Sequence, residues 1–246
     1  LRNTAGWRQS EAAQRGKKFG KLMRRIRMSK IYGENHRDLQ NRFDTIRLAD
    51  RVEELVVRPE LSSDQKSFIE SRDMFFLTTV DHRGYPTCSY KGGVPGFVKA
   101  PDSKTIIFPS YNGNGMFLSM GNIMTSQKVG LLFIDFETPH RVRVHGLASI
   151  QKDDRKLAEF AGAELLVRVA VTETFINCPR YVHKYQRIET SKYAPEAGCP
   201  APPAPQWKRI DAIQNALPER EKNLADELGG AITFQEYAAL VARREG

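Results

Sequence analysis

Cysteine is scarce in this chain, and long apolar runs are missing. Its three cysteines, Cys88, Cys178 and Cys199, are odd in number and widely spaced among 246 residues. They supply neither a disulfide framework nor a zinc site, so no metal is expected and a reducing compartment, the cytoplasm, is. No stretch approaches the roughly 20 consecutive apolar residues of a membrane-spanning helix. Acid is almost absent from the first 30 residues, where ten Lys and Arg stand against Glu11 alone. That segment carries the whole net charge of +9, because the other 216 residues hold 28 charges of each sign. The basicity therefore belongs to an arm, and nucleic acid is not an expected partner of the body. Within the arm, Phe19, Leu22, Met23 and Ile26 recur at helical spacing among the cations. A basic amphipathic helix of that kind suits anionic lipid, nucleic acid, a transit peptide, or one face packed on its own protein. The chain begins with Leu1 rather than Met, which leaves its natural N-terminus open.

What is present suffices for a core: 40% hydrophobic residues and 13 phenylalanines. Residues 31–60 read as irregular chain leading into a helix with Ile46, Leu48, Val52, Leu55 and Val56. Ser62-Ser63-Asp64 offers an N-cap for a second helix through Phe68 and Ile69. Beyond that the pattern turns to strands. MFFLTTV (74–80) reads as a buried strand, and Asp81-His82-Arg83-Gly84 as a turn into a second one near Thr87. Lys91 to Gly96 interrupts the sheet, and Phe97-Val98 resumes it. Further strands follow at TIIFP (105–109), KVGLLFIDF (128–136), RVRVHGLASIQ (141–151) and LLVRVAVTETFI (165–176). A helix is expected over 115–124 and a short one after Asp153-Asp154. Six or so closely spaced strands with brief helices argue for an antiparallel barrel over a βαβ sheet. Residues 1–41 read as the basic arm, 42–190 as the barrel domain, and 191–246 as a Pro-rich linker with a polar helical extension.

Three stretches carry candidate chemistry. In Ser89-Tyr90-Lys91-Gly92-Gly93 a hydroxyl and an ammonium sit two residues apart, on one face of a strand, before glycines that admit a close ligand. That is a plausible phosphate grip, and equally an ordinary solvated edge. In FPSYNGNGMFLSMGNI (108–123), glycines open a helix and would free N–H groups for an anion or ring oxygens. Asn114 and Asn122 both donate and accept, which suits the edge of a heterocycle. Met116, Phe117, Leu118 and Met120 read as core. The Gly113-Asn114-Gly115 spacing is not a dinucleotide fingerprint. RVRVHG alternates, so Arg141, Arg143 and His145 share the face opposite the apolar one. In Asn177-Cys178-Pro179-Arg180-Tyr181, no His and Asp arrangement supports Cys178 as a nucleophile, which leaves Asn177 and Arg180 as ligand or interface groups.

Taken together, FFLTTVDHRGYPTCSYKGGVPGFV, TIIFPSYNGNGMFLSMGNI, VGLLFIDFETPHRVRVHGLASI and INCPRYVHKY resemble the pyridoxamine 5'-phosphate oxidase-like family of FMN-binding split β-barrels. The resemblance extends over about 42–214. It implies a mainly β fold, a split antiparallel barrel with flanking helices, and a homodimer with cofactor sites across the interface. Ser89 and Lys91 would lie near the FMN phosphate, with Arg141 or Arg143 as a further cation. Ser110, Tyr111, Asn114 and Asn122 would line the ribityl chain and the flavin edge, and Asn177, Arg180 and Tyr181 would reach in from the partner. The implied activity is FMN-dependent oxidoreduction of an unidentified small molecule, with NAD(P)H a candidate and the electron donor left open. A deazaflavin-dependent reductase of the same fold and a non-catalytic flavin- or haem-binding protein are the alternatives. True pyridoxamine phosphate oxidases carry an arginine near the place of Ser89 and a C-terminal segment rich in Trp, Gly, Arg and His. Here only Trp207, Lys208 and Arg209 stand in that segment, with no histidine after His183, which argues against vitamin B6 oxidation.

Overall fold

The computed structural model describes residues 29–246 apart from Lys152 and Pro200. The amphipathic basic stretch expected between Phe19 and Ile26 lies outside the described residues. Those residues form two compact units that divide between Val57 and Arg58. In the first, α1 (Glu34–Arg42) and α2 (Ile46–Val56) are joined through Asp44 at a φ of 52°. An Arg37–Asp50 ion pair of 2.7 Å links the two helices. The pattern of the sequence foretells α2 but not α1, which is polar except for Leu39 and so carries no apolar period.

The second unit begins its regular structure with α3 (Ser63–Glu70). Ser62 and Gln65 cap it reciprocally, side chain to backbone in both directions. Seven strands follow: β1 (Met74–Val80), β2 (Pro86–Gly92), β3 (Lys99–Asp102), β4 (Thr105–Tyr111), β5 (Lys128–Asp135), β6 (His140–Gln151) and β7 (Ala163–Ile176). The helix α4 (Leu118–Ser126) lies between β4 and β5. Every neighbouring pair in the order β2-β1-β5-β6-β7-β4-β3 is antiparallel. Phe97 and Val98 are buried, yet they precede β3 rather than start it. A turn at Gly96 takes their backbone: the Phe97 N–H donates to the Val94 carbonyl at 3.0 Å.

This sheet is rolled. β1 and β4 are separated by β5, β6 and β7, so in a flat sheet they would stand about 19 Å apart. Instead the Phe75 and Phe108 rings meet edge to face with centroids 5.0 Å apart, and Phe75 also stacks on Phe133 at 5.0 Å. All three are fully buried. The inward rows Phe75–Leu77, Leu131–Phe133, Val142–Val144, Val167–Val169 and Ile106–Phe108 fill one core. The edges β2 and β3 remain unpaired with each other, which makes this a split barrel and not a closed one.

The roll needs a bend in its longest pair. In β7 the inward residues are Val167, Val169 and Val171, and then Thr174. The phase changes because Thr172 is an extra residue in the ladder between Gly146↔Val171 and His145↔Glu173. A bulge of this kind sharpens the local twist and bend. Opposite it stands Gly146, where a Cβ would come within 2.5 Å of Val169 Cγ1 and 2.6 Å of the Ala170 carbonyl oxygen.

Beyond β7 the chain is irregular up to Pro205, then forms 3-10 turns at Gln206–Arg209, Asp211–Ala216 and Glu219–Glu221. Two helices end it, α5 (Leu224–Glu227) and α6 (Phe234–Ala242). The expected long helical extension is thus broken up, by Pro218 and by Gly229 and Gly230 at positive φ. No helix among the described residues is long and apolar enough to cross a membrane.

Gly146→Ala should cost about 2 kcal/mol or more of stability by overpacking the bend. Gly130→Ala, whose Cβ would meet nothing nearer than 3.7 Å, should be neutral or stabilising by up to about 1 kcal/mol. Urea denaturation of both variants checks the pair; equal costs would remove the bulge from its place in the roll.

Candidate functional site

The register of β2 against β1 decides where its polar residues point. Thr87, Ser89 and Lys91 pair with Thr79, Leu77 and Phe75, all of which are buried. Pairs in register share a face, so the three β2 residues face inward at the edge of the barrel. There they meet α4. The Asn122 amide donates to Thr79 Oγ1 at 3.0 Å and to Thr87 Oγ1 at 3.4 Å, and the hydroxyls of Ser89 and Ser119 lie 3.0 Å apart. Lys91 follows in the same row, half-buried, with no ion-pair or hydrogen-bond partner among the described residues. Burial alone pushes its ammonium below the ordinary lysine range.

The loop before α4 differs from expectation. The helix starts at Leu118, not at Gly115, because Gly115 (φ 77°) and Phe117 (φ 48°) both take left-handed backbone. The glycines therefore do not open the helix. Asn114 is spent on the turn, accepting from the Met116 N–H at 3.1 Å. No side chain caps α4, and its second residue, Ser119, carries the hydroxyl that meets Ser89, so the positive end of the helix dipole lies near that pair. Met116, Phe117 and Leu118, expected in the core, are 61%, 55% and 52% exposed. Only Met120 of that run is buried. Gly92 and Gly93 also answer to the protein itself: a Cβ on Gly93 would strike the Phe97 ring at 2.5 Å.

At the end of β4, Ser110 keeps the inward phase of Ile106 and Phe108 and is half-buried. Tyr111 packs against the main core, and burial pushes its hydroxyl pKa up.

Arg141, Arg143 and His145 do alternate with buried Val142 and Val144 and face outward. Arg143 lies over the Phe175 ring at 5.4 Å, and His145 Nδ1 meets Glu173 Oε1 at 2.7 Å. They border an open cleft of about 900 Å³ on the outer face of β1, β5 and β6, walled by Phe76, Val80, Leu132 and Leu147. Arg141 donates to the Cys178 carbonyl at 2.7 Å, which seats the start of the arm after β7 on this same face. Here Arg141 Nε and Asn177 Oδ1 are buried without hydrogen-bond partners. Arg180 and Tyr181 beyond them are exposed, Tyr181 at 88% and at a φ of 68°. Within one chain, then, Arg141 and Arg143 do not join Lys91. They lie across β1 and β5 from it and on the opposite face.

Residues 61–181, the whole of this barrel, match the family described as Pyridoxamine 5'-phosphate oxidase. The barrel domain belongs to the pyridoxamine 5'-phosphate oxidase-like family. Solved structures similar to it include HupZ of Group A Streptococcus, 19% identical over 51% of this chain and 99% of that one, at a TM-score of 0.40. A Lactobacillus delbrueckii protein, named for pyridoxamine 5'-phosphate oxidase, is 24% identical over 48% of this chain and 95% of that one, at 0.40. An FMN-binding protein of Syntrophomonas wolfei is 11% identical over 57% and 97%, at 0.36. No curated protein matches the chain.

The members of this family-matched barrel that sequence reasoning passed over are Ser119, Thr79 and Thr87. The signal for Ser119 was available, a hydroxyl in the first turn of a helix that follows a Gly/Asn loop. Thr79 and Thr87 gave none, because their pairing depends on strand register. No cluster of three potential metal ligands occurs among the described residues.

Because burial lowers the native pKa of Lys91, the folded protein binds fewer protons than the unfolded chain between that value and the ordinary lysine pKa. Stability should therefore rise with pH across that window. Lys91→Met should flatten the rise, and inorganic phosphate at neutral pH should stabilise the native chain but not the variant. Thermal unfolding across pH checks both, and identical pH slopes would put the ammonium in bulk solvent.

Proposed function

We propose that this chain is an FMN-binding oxidoreductase whose cofactor site is completed by a second copy. The observation that carries the reading is Lys91: a half-buried cation without a counter-charge, beside paired serine hydroxyls and an uncapped helix N-terminus. Such a set fits a phosphate monoester, whose oxygens accept from ammonium, hydroxyl and backbone N–H alike. Membership of the pyridoxamine 5'-phosphate oxidase-like family makes FMN the phosphate ester of choice. When bound, FMN supplies two-electron chemistry at its N5.

The chain's own residues divide the remaining work. Lys91 and Ser89 would hold the phosphate, and Ser110 and Tyr111 would run along the ribityl chain. Asn122 would act chiefly as the peg that fixes α4 to β1 and β2, and Asn114 as the turn that presents the loop. Asn177, Arg180 and Tyr181 start from the opposite face of the sheet, so they would serve the site of a second copy. Arg180, exposed and over the Tyr181 ring, would place positive charge near the N1 and C2 carbonyl edge of the ring, where it favours reduced flavin. The exposed Met116-Phe117-Leu118 run and the uncovered cleft are apolar surface that a homodimer would bury. No residue is assigned as a general base. The three free, exposed cysteines suit a reducing cytoplasm.

Purified protein titrated with FMN should quench flavin fluorescence and retain a two-band visible spectrum after gel filtration. Lys91→Met and Arg180→Ala should each weaken binding about tenfold or more. A single deazaflavin-like band or a Soret band on the purified chain would replace the cofactor, and a chain that takes up no FMN would end the reading.

A further inference from the structure

The C-terminal segment makes one contact that its sequence does not advertise. Lys208, in the first 3-10 turn after the proline-rich stretch, is only 4% exposed. Its ammonium donates to Asn112 Oδ1 at 2.8 Å and pairs with Glu221 Oε2 at 2.9 Å. Asn112 Nδ2 in turn donates to Glu164 Oε1 at 3.0 Å. Arg220 reaches the same Glu164 oxygen at 2.7 Å and stands 3.6 Å from Glu221 Oε1. The five side chains close a ring: Lys208, Asn112, Glu164, Arg220, Glu221.

Two features make the ring more than a surface ion pair. Glu164 is the extra residue of β7 where its pairing with β4 shifts, between Ser110↔Leu165 and Tyr111↔Ala163. The bulge turns its carboxylate toward the C-terminal segment at the point where the loop leaves the sheet. The backbone of Lys208 is also held in place, since Gln214 Nε2 donates to its carbonyl and to that of Ile210, each at 2.8 Å. Ile210, Leu217 and Ala225 of the same C-terminal segment are also buried. A buried ammonium left with one partner removed is expensive, so Lys208 keeps its partners together, and Asn112 is one of them.

Asn112 is the first residue of the loop, 112–117, that leaves β4 after Tyr111 and presents α4. We infer that residues 206–221 act as a clamp on this loop, with Lys208 its positioning residue. The clamp holds Asn112 in place and thereby sets the shape of Ser110, Tyr111 and the turn at Asn114. Its effect on ligand affinity rests on the flavin reading above, whereas its effect on the loop does not. A pre-ordered loop loses less freedom when a ligand binds.

Amide hydrogen exchange on the full chain without ligand tests the clamp directly. In Lys208→Met, amides of residues 111–117 should exchange at least about tenfold faster than in the unaltered protein, while those of β1 and β5 keep their rates. Unchanged loop rates, or a uniform acceleration through all strands, would overturn it. Arg220, 66% exposed in its side chain, can be removed without burying a lone charge. Arg220→Ala should speed exchange at the same loop amides by a smaller factor, and it decides the matter if Lys208→Met does not fold. FMN titration of the same variants separates the two ideas. Faster exchange with weakened FMN binding supports both. Faster exchange in a chain that never binds FMN keeps the clamp and removes the flavin site.

Discussion

The cross-strand pair Phe75–Lys91 joins the core of this protein to its candidate site. Phe75 is buried among Phe108 and Phe133, and that contact draws β1 and β4 together and rolls the sheet. Once Phe75 points inward, antiparallel pairing leaves Lys91 no choice of face. Ser89 and Thr87 follow at every second position. A slip of one residue in this register would turn the whole polar row to the outside. The apolar energy of the roll, with three phenylalanine rings removed from water, is what holds an uncompensated ammonium partly out of solvent. Folding stability is thus spent at the edge of the barrel, where an anion would recover it.

The same alternation separates the site's expected parts. Arg141, Arg143 and Asn177 belong to the opposite face because Val142 and Val144 must be inside. No rotamer change brings them through the sheet to Lys91. A second molecule can supply the groups of one face to a site on the other. The partnerless Arg141 Nε and Asn177 Oδ1, the exposed Arg180 and Tyr181, and the apolar run at Met116-Phe117-Leu118 are all groups that one chain leaves unsatisfied. Under the proposed function, a two-fold assembly in which each copy lends its arm to the other would account for them together.

Much of this was legible in the residues. MFFLTTV and KVGLLFIDF could be placed as strands from composition and length, RVRVHG from its strict alternation, and α3 from the Ser62 cap. The direction of Arg141, Arg143 and His145 followed from the alternation alone. Other features were hidden because they depend on distant chain. β3 carries Pro101 and spans four residues, too short and too polar for a pattern. Met116, Phe117 and Leu118 look like core by composition, but two left-handed backbone positions turn the run outward before α4 begins. That Lys91 and Arg141 lie on opposite faces depends on the β1–β2 and β5–β6 registers jointly, which no local window contains. Lys208 reads as one more cation in a polar tail, and its burial comes from Asn112 and Glu221, 96 residues before it in sequence and 13 after.

The central claim is that one cofactor site draws Lys91 from one copy and Arg180 from another. Mixing Lys91→Met chains with Arg180→Ala chains, unfolding them together and refolding them, tests it most directly. Each variant alone has both sites damaged, but half of the randomly paired dimers would hold one copy of each, and one of their two sites would be intact. The mixture should therefore recover about one quarter of the FMN-binding capacity of the unaltered protein. A mixture that binds no more FMN than its two parents would contradict a shared site, and would return Arg180 and its arm to the chain that bears them.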